Sequence, residues 1–439
     1  MAWHEEYERK RVSPEEAVKV IKSGDTVVIP IDTEPRALSK ALMNRRSELE
    51  DVTIMFRQPR DDCGWFKEEV GSPFRVVLDT QAGSGTEALV QKTVDYIPFL
   101  TSLRFRQPTC RPHAKNDVEV AMVVVSTPDE NGYCSFGLYL SHKRDYARMA
   151  KTVLAEVSQD PEMQIRTSGD NQIHVSEIDF FVEHVSIPHP VGKEVHPDAA
   201  DRTIAEYVST LIRDGDTVQL GPGGTITALL ALGGLDGKND LGIHSAILTE
   251  GMLDLVRKGV VTGRRKNVNP NLSVSGGFWR IDKSECLNFI KGNRHFLIRD
   301  MSYVNDLRVI ASHDNMVAIN SVLTIDLTGQ LGADSLGTRM REGAGGQVEF
   351  VMGAILSKGG RSITVLPSTG SSGTISRIVP TLEPGTVVSI PRTFCDYVVT
   401  EYGIASLWGK SQRQRVSELI SIAHPDFRLE LKKEADRLY

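Results

Sequence analysis

The groups in this chain best suited to chemistry are backbone amides. Leu220-Gly221-Pro222-Gly223-Gly224 is one glycine loop and Gly343-Ala344-Gly345-Gly346-Gln347 is a second. Glycine lets the backbone come close to a ligand, and N–H groups turned to one side hold an anion or a developing oxyanion. Gly242-Ile243-His244-Ser245-Ala246 follows the first loop by roughly twenty residues. The first loop is neither G-x-G-x-x-G nor G-x-x-x-x-G-K-[ST], which removes most of the weight from dinucleotide and P-loop readings. H-E-x-x-H, G-x-S-x-G and metal-spaced His/Cys clusters are absent from the sequence, so no metal site is expected. Residues alone lead to a two-domain α/β enzyme, or to a binder of a phosphorylated cofactor.

These loops must be carried by strands. Thr217 to Leu220 and Leu241 to Ile243 are hydrophobic runs with a helical stretch, Thr225 to Leu232, between them. That order predicts a β-loop-α-β unit with parallel strands, its ligand at the strands' carboxyl ends. The start of the chain has the same plan: a helix over Pro14 to Lys22 with Ser13 as N-cap, a Gly24-Asp25 turn, a strand over Thr26 to Ile29 and a helix from Arg36 to Met43. Gly-Asp-Thr-Val begins at both Gly24 and Gly215, which suggests two related α/β halves, although Gly-Asp is also simply a good turn dipeptide.

Val52 to Phe56, Phe74 to Leu78, Val118 to Val125, Thr152 to Val157, Val309-Ile310, Val317 to Ser321 and Leu323 to Leu327 also have the pattern of strands. Val120 to Val125 is continuously apolar, as befits a strand covered on both faces. Pro188, Pro190 and Pro197 mark an extended linker. The expected division is therefore 1–187, a linker 188–198, and 199–439, as two open α/β domains of related topology with the active site between them.

The 439 residues suffice for two or three cores, and 40% hydrophobic with 25% charged residues describe a globular chain. A net charge of −6 gives no footprint for nucleic acid. No apolar run approaches the roughly 20 residues of a membrane span, and Met1 to Val12 lacks a signal peptide's apolar core. Cys63, Cys110, Cys134, Cys286 and Cys395 are scattered and odd in number, which suits a reduced cytoplasmic protein.

Several tracts carry a family resemblance. Asp240 to Gly263, DLGIHSAILTEGMLDLVRKGVVTG, resembles the acetyl-CoA hydrolase/transferase family of CoA-transferases, whose strand typically reads G-I-H-[ST]-E. Further blocks resemble the family in order: Pro128 to Gly137, Arg166 to Asp170, Ile173 to Asp179, Gly343 to Phe350, Leu356 to Ile363, Leu366 to Thr369, Ser376 to Pro380, Asp396 to Ala405 and Ser421 to Arg428. The resemblance covers residues 10–435 and is densest after Ala150.

The family's glutamate is its catalytic nucleophile, and this sequence has Ala246 in that place. The resemblance implies an enzyme that moves CoA from an acyl-CoA to a small carboxylic acid through a glutamyl-CoA thioester. With Ala246 it implies an engineered Glu→Ala form or a natural member without the chemistry. A thioesterase and a non-catalytic CoA-ester binder are the alternatives. Coenzyme A enters as substrate, with no permanently bound cofactor. Leu220, Gly221, Pro222, Gly223 and Gly224, with Gly343, Ala344, Gly345, Gly346 and Gln347, are expected to supply oxyanion and CoA contacts, and Asn320 and Ser321 to line the pantetheine arm. A homodimer or homotetramer without nucleic acid or membrane partners is implied.

His174 has a proton donor's side chain, though a lone strand histidine is more often hydrogen-bonded structurally. Glu401 is expected to pair with Arg377 or Arg392. Phe56, Trp65, Phe66, Phe99 and Phe105, with Arg57, Arg60, Arg104, Arg106 and Arg111, are core aromatics and solvated arginines or else an acyl-pocket wall.

Overall fold

A computed structural model describes residues 3–30, 34–57, 64–67, 72–79, 85–103, 118–183, 196–279, 281, 283–341, 343, 345–370 and 373–439. Ala344, most of the linker, and Arg60, Arg104, Phe105, Arg106 and Arg111 lie outside the described residues. The chain forms two compact units, residues 1–191 with 276–303, and residues 192–275 with 304–439. Residues 276–303 thus join the first unit. The backbone N–H of Phe278 donates to Leu138 O at 2.8 Å, and Phe296–Ile298 pairs in parallel with Ser168–Gly169.

The first unit is built on a sheet of β1 (Thr26–Ile29), β2 (Val52–Phe56), β3 (Phe74–Asp79), β4 (Asp95–Ile97), β5 (Val120–Ser126), β6 (Thr152–Ser158) and β7 (Phe180–Glu183). Its order is β7-β6-β5-β1-β2-β3-β4, and every neighbouring pair is parallel. All of β5 is buried, as its unbroken apolar run requires. Phe56, Trp65 and Phe74 pack in the core beside it, with Phe56 and Trp65 ring centroids 6.1 Å apart. Arg57 is buried, its Nη1 3.8 Å from Asp79.

The second unit repeats the plan. It carries β8 (Thr217–Leu220), β9 (Gly242–Ser245), β10 (Ser273–Ser275), β11 (Met316–Ser321), β12 (Arg361–Val365), β13 (Tyr397–Thr400) and β14 (Gly403–Ser406), in the order β14-β13-β12-β11-β8-β9-β10. Only β13 and β14 run antiparallel among these pairs. The chain leaves β8 toward β9 and later returns to β11 on its other side. The gap between β8 and β11 is therefore a switch point, where open α/β sheets bind ligands at the carboxyl ends.

The two Gly-Asp-Thr-Val tracts are one local structure used twice. Gly24 and Gly215 both have φ 84°. The Asp25 carboxylate accepts from Lys22 N at 2.7 Å and that of Asp216 from Arg213 N at 2.6 Å. Each tract opens a central strand, β1 or β8, flanked by a parallel strand on both sides.

Most expected elements form within a residue or two of their predicted bounds, and Ser13 Oγ accepts from Glu16 N as the expected cap. Val309-Ile310 differs: it lies in a short helix, Leu307–Ala311, because the Asp306 side chain caps that turn by accepting from Arg308 N. Two β-branched residues suit either state, and the cap decides.

Candidate functional site

Strand β9 ends at Ser245, and Ala246 follows it at the carboxyl end of the sheet, half-buried rather than sealed. Ser245 Oγ donates to Leu220 O at 3.4 Å, which ties this end to the last residue of β8. The first glycine loop starts there. Its Gly223 is the N-cap of the helix Gly224–Ala231 and offers no side chain, so the first N–H groups of that helix lack a side-chain cap. A Cβ on Gly223 would stand 2.9 Å from Ser321 Oγ. Glycine here is what lets the loop after β8 meet the end of β11.

The expected ligand contacts separate on inspection. Asn320 is committed to Gln219: its Oδ1 accepts from Gln219 Nε2 at 3.0 Å, and its Nδ2 donates to Gln219 Oε1 at 2.9 Å. Ser321 Oγ is a buried atom without a hydrogen-bond partner among the described residues, and so is Gln347 Nε2. Buried polar atoms are almost always paired, so two orphans at strand and helix ends mark places where a ligand or water would complete the bonding.

The second glycine loop is brought to β9 through Val304 and Asn305. His244 Nε2–H donates to Val304 O at 2.8 Å. Asn305 Nδ2 donates to Glu349 Oε2 at 2.8 Å, in the helix Gln347–Leu356 that Gly346 caps. The His244 ring also packs against Phe350, centroids 6.2 Å apart.

Beneath β9 lies a buried basic cluster that the sequence did not announce. Lys266 Nζ donates to Ile243 O at 2.8 Å and to Leu272 O at 2.6 Å. Burial pushes its amine down to about 7. The His244 and His313 rings lie against each other with centroids 4.5 Å apart, tilted by 48°. Burial holds His244 well below its ordinary value, with His313 and Lys266 adding to the effect, and pushes His313 down to about 4. Both imidazoles are therefore neutral near pH 7, and His244 acts as a fixed donor rather than as an acid or base. Lys266 sits in a polar stretch with no periodicity, and only the fold reveals that it turns inward.

Other candidates resolve into structural roles. His174 Nδ1 accepts from Ser176 N and caps a short turn of helix. Glu401 makes no ion pair within 4 Å with Arg377 or Arg392, although its charge still favours the charged Arg377 guanidinium. Its carboxylate accepts from Ser368 N at 2.8 Å and from Ser368 Oγ at 2.5 Å, since the turn after β12 brings those donors to it first. Cys134, Cys286 and Cys395 are buried.

With the geometry in place, relatives can be compared. Residues 86–191 match the acetyl-CoA hydrolase/transferase N-terminal domain and residues 283–435 its C-terminal domain. The 4-hydroxybutyrate coenzyme A transferase of Clostridium kluyveri is 37% identical over 437 residues, covering 99% of both chains. The chain belongs to the acetyl-CoA hydrolase/transferase family. A second member, the succinyl-CoA:cyclohexane-1-carboxylate CoA transferase of Geobacter metallireducens, is 36% identical over 100% of this chain and 97% of its own. Among solved structures, RipA from Yersinia pestis superimposes with a TM-score of 0.89 at 31% identity, covering 100% of this chain and 99% of RipA. No helix among the described residues is long and apolar enough to cross a membrane.

Proposed function

We propose that the strand ends of the second unit form a CoA-transferase site, and that position 246 is the nucleophile's place. The observation that carries this is Ala246 itself, half-buried directly after β9 and tied through Ser245 and Leu220 to a glycine loop. A carboxylate there would attack the thioester carbonyl of an acyl-CoA. The resulting acyl-glutamyl anhydride would be opened by the departing CoA thiolate, releasing the acyl group as a carboxylate and leaving a glutamyl-CoA thioester. An acceptor carboxylate then reverses the sequence and leaves with CoA. Backbone N–H groups of the first loop, and of Gly345 to Gln347, would hold the tetrahedral oxyanion.

A methyl group at position 246 cannot take the first step. Loss of a covalent nucleophile costs on the order of 10⁶ in rate, so this chain binds acyl-CoA and scarcely turns it over. The test is Ala246→Glu. Mixed with an acyl-CoA, that variant gains the mass of bound CoA, loses it to hydroxylamine, and exchanges CoA onto an added carboxylate. Release of free thiol without any acceptor would mean a thioesterase instead. Tight CoA binding with neither adduct nor exchange would reduce the protein to a binder.

A further inference from the structure

A cavity of about 530 Å³ opens on the second unit between two stretches that the mechanism does not use. One wall is the helix Ala199–Leu211, which presents Arg202, Ala205, Glu206 and Ser209 on a single face. The other wall is the turn after the helix Gly224–Ala231, from Leu232 to Lys238. That helix starts at the first glycine loop and runs eight residues, about 12 Å, to this turn. The turn leads to Asn239, whose carbonyl accepts from Gly215 N at 2.9 Å, in the turn that opens β8. The cavity therefore lies at the amino ends of β8 and β9, and position 246 follows the carboxyl end of β9.

The turn is held by its own hydrogen bonds. Leu232 N, Gly233 N and Gly234 N donate to Ala228 O, Leu230 O and Leu229 O at 2.9, 3.0 and 3.0 Å, which closes the helix end. A Cβ on Gly234 would stand 2.5 Å from Leu229 Cδ1, so bare backbone forms that part of the wall.

The charges on the two walls are uncommitted. Among the described residues, neither Arg202 nor Lys238 has a carboxylate within 4 Å. The nearby acids are engaged elsewhere. Asp236 pairs with Lys258 at 2.6 Å, and Asp214 accepts from Asn239 N and Nδ2 at 2.8 and 3.1 Å. Glu206 stands four residues on from Arg202, the spacing of a helical ion pair, yet makes none among the described residues.

Those groups select a class of ligand. A phosphate monoester carries about −1.5 to −2 charge at pH 7, which suits an arginine fork beside a lysine point charge. Glu206 then requires an O–H or N–H donor from the same molecule. A fatty or simple dicarboxylic acid has none to give and meets Glu206 as a like charge. The volume lies within the roughly 300–1,000 Å³ of small-molecule sites and is far larger than a phosphate alone needs. Ala205, Leu232 and the glycine backbone form an apolar floor for a sugar or base ring.

We infer that this cavity is a second ligand site, for a phosphate monoester of sugar or nucleoside size. Arg202 and Lys238 hold the phosphate, and Glu206 accepts from the hydroxyl or amino groups. The site shares a helix with the reacting end but none of its residues, and it does not rest on the CoA reading.

Titration calorimetry on this chain tests it, with AMP, ribose 5-phosphate and inorganic phosphate as probes. AMP or ribose 5-phosphate is expected to bind with a Kd below about 1 mM, and at least about 10-fold tighter than inorganic phosphate. Arg202→Gln and Lys238→Gln should each weaken that binding by about 10-fold or more. A Cβ at Gly237 meets nothing within 4 Å, so Gly237→Leu can fill the cavity without disturbing the fold. It should weaken binding by at least about 10-fold. Unchanged melting temperatures show that the variants fold.

Failure of both esters to bind the unaltered chain overturns the inference, and so does affinity within about twofold in all three variants. Inorganic phosphate binding as tightly as either ester would mean an adventitious ion only. CoA, which contains a phosphorylated adenosine, is the last control. AMP affinity that keeps falling as CoA is raised, without a plateau, would place AMP at the CoA site and overturn the second site. AMP that stays bound at saturating CoA supports it. A chain that binds no CoA counts against the CoA reading alone, and the three variants still decide this cavity.

Discussion

Lys266 Nζ lies 2.8 Å from the carbonyl oxygen of Ile243, inside the strand that delivers position 246. The same amine holds Leu272 O at 2.6 Å, so one side chain fastens β9 to the segment leading into β10. A neutral amine still has two N–H bonds, enough for both carbonyls. Burial can therefore lower this group to about 7 without breaking the arrangement.

Lys266→Met is expected to destabilise the protein by about 1–3 kcal/mol, as two buried acceptors lose their donor. It also alters the pH profile. The folded-state pKa is about 7 against an ordinary lysine value of 10.5, so between these values the unfolded chain holds a proton that the folded chain has released. Stability then rises with pH across that window, by on the order of a few kcal/mol. Urea unfolding from pH 6 to 10 should show the rise in the unaltered protein and not in the variant. Parallel curves would mean that the amine stays charged in the fold.

Gly242→Ala should act through the same lysine. A Cβ at Gly242 would come within 2.4 Å of Lys266 Cγ and 2.6 Å of its Cδ. The lysine stem crosses the strand where only a hydrogen can be accommodated. The single change is expected to cost about 2–3 kcal/mol, in the range of overpacked cores. Combined with Lys266→Ala it should cost clearly less than the two separate losses added together, since the clash disappears with the stem. A double-mutant cycle by urea unfolding measures this, and strict additivity would disprove the coupling.

Asp145 and Asp300 give the opposite pH dependence in the first unit. Burial raises both carboxyls, and the Asp145 charge raises Asp300 further, to about 8. Neighbouring Asp170 engages Arg144 and Arg299, at 3.0 and 2.6 Å. Here the folded state holds the proton that the unfolded chain gives up near the ordinary aspartate value of 3.8. The stabilisation is complete below about pH 4 and is lost as pH rises through about 8. Asp300→Asn keeps the neutral shape and should flatten that decline. A melting-temperature series from pH 4 to 9 reads it directly.

Much of this was legible in the residues because the signals are local. A glycine loop after an apolar run marks a strand's carboxyl end, and the twin Gly-Asp-Thr-Val tracts proved to share φ values and carboxylate-to-amide bonds. What escaped depends on contacts distant in sequence. Lys266 turns inward because Ile243 and Leu272 await it. Glu401 takes its hydrogen bonds from Ser368 because the turn after β12 places two donors there. Residues 276–303 join the first unit through pairing with Leu138 and Ser168 that no periodicity encodes.

The length of the missing nucleophile can also be tested. Ala246 sits at a fixed strand end: Ser245 is held to Leu220, and His244 to Val304. The backbone therefore cannot advance to compensate for a shorter side chain. Ala246→Asp places its carboxylate about 1.5 Å short of the one in Ala246→Glu, a misplacement worth on the order of 10² in rate. CoA exchange between an acyl-CoA and a carboxylate should therefore be at least about 100-fold slower in the aspartate variant, with CoA affinity unchanged in both. Equal exchange rates would mean that the strand end yields by more than an ångström, and that the rigid positioning argued here is not what the reaction depends on.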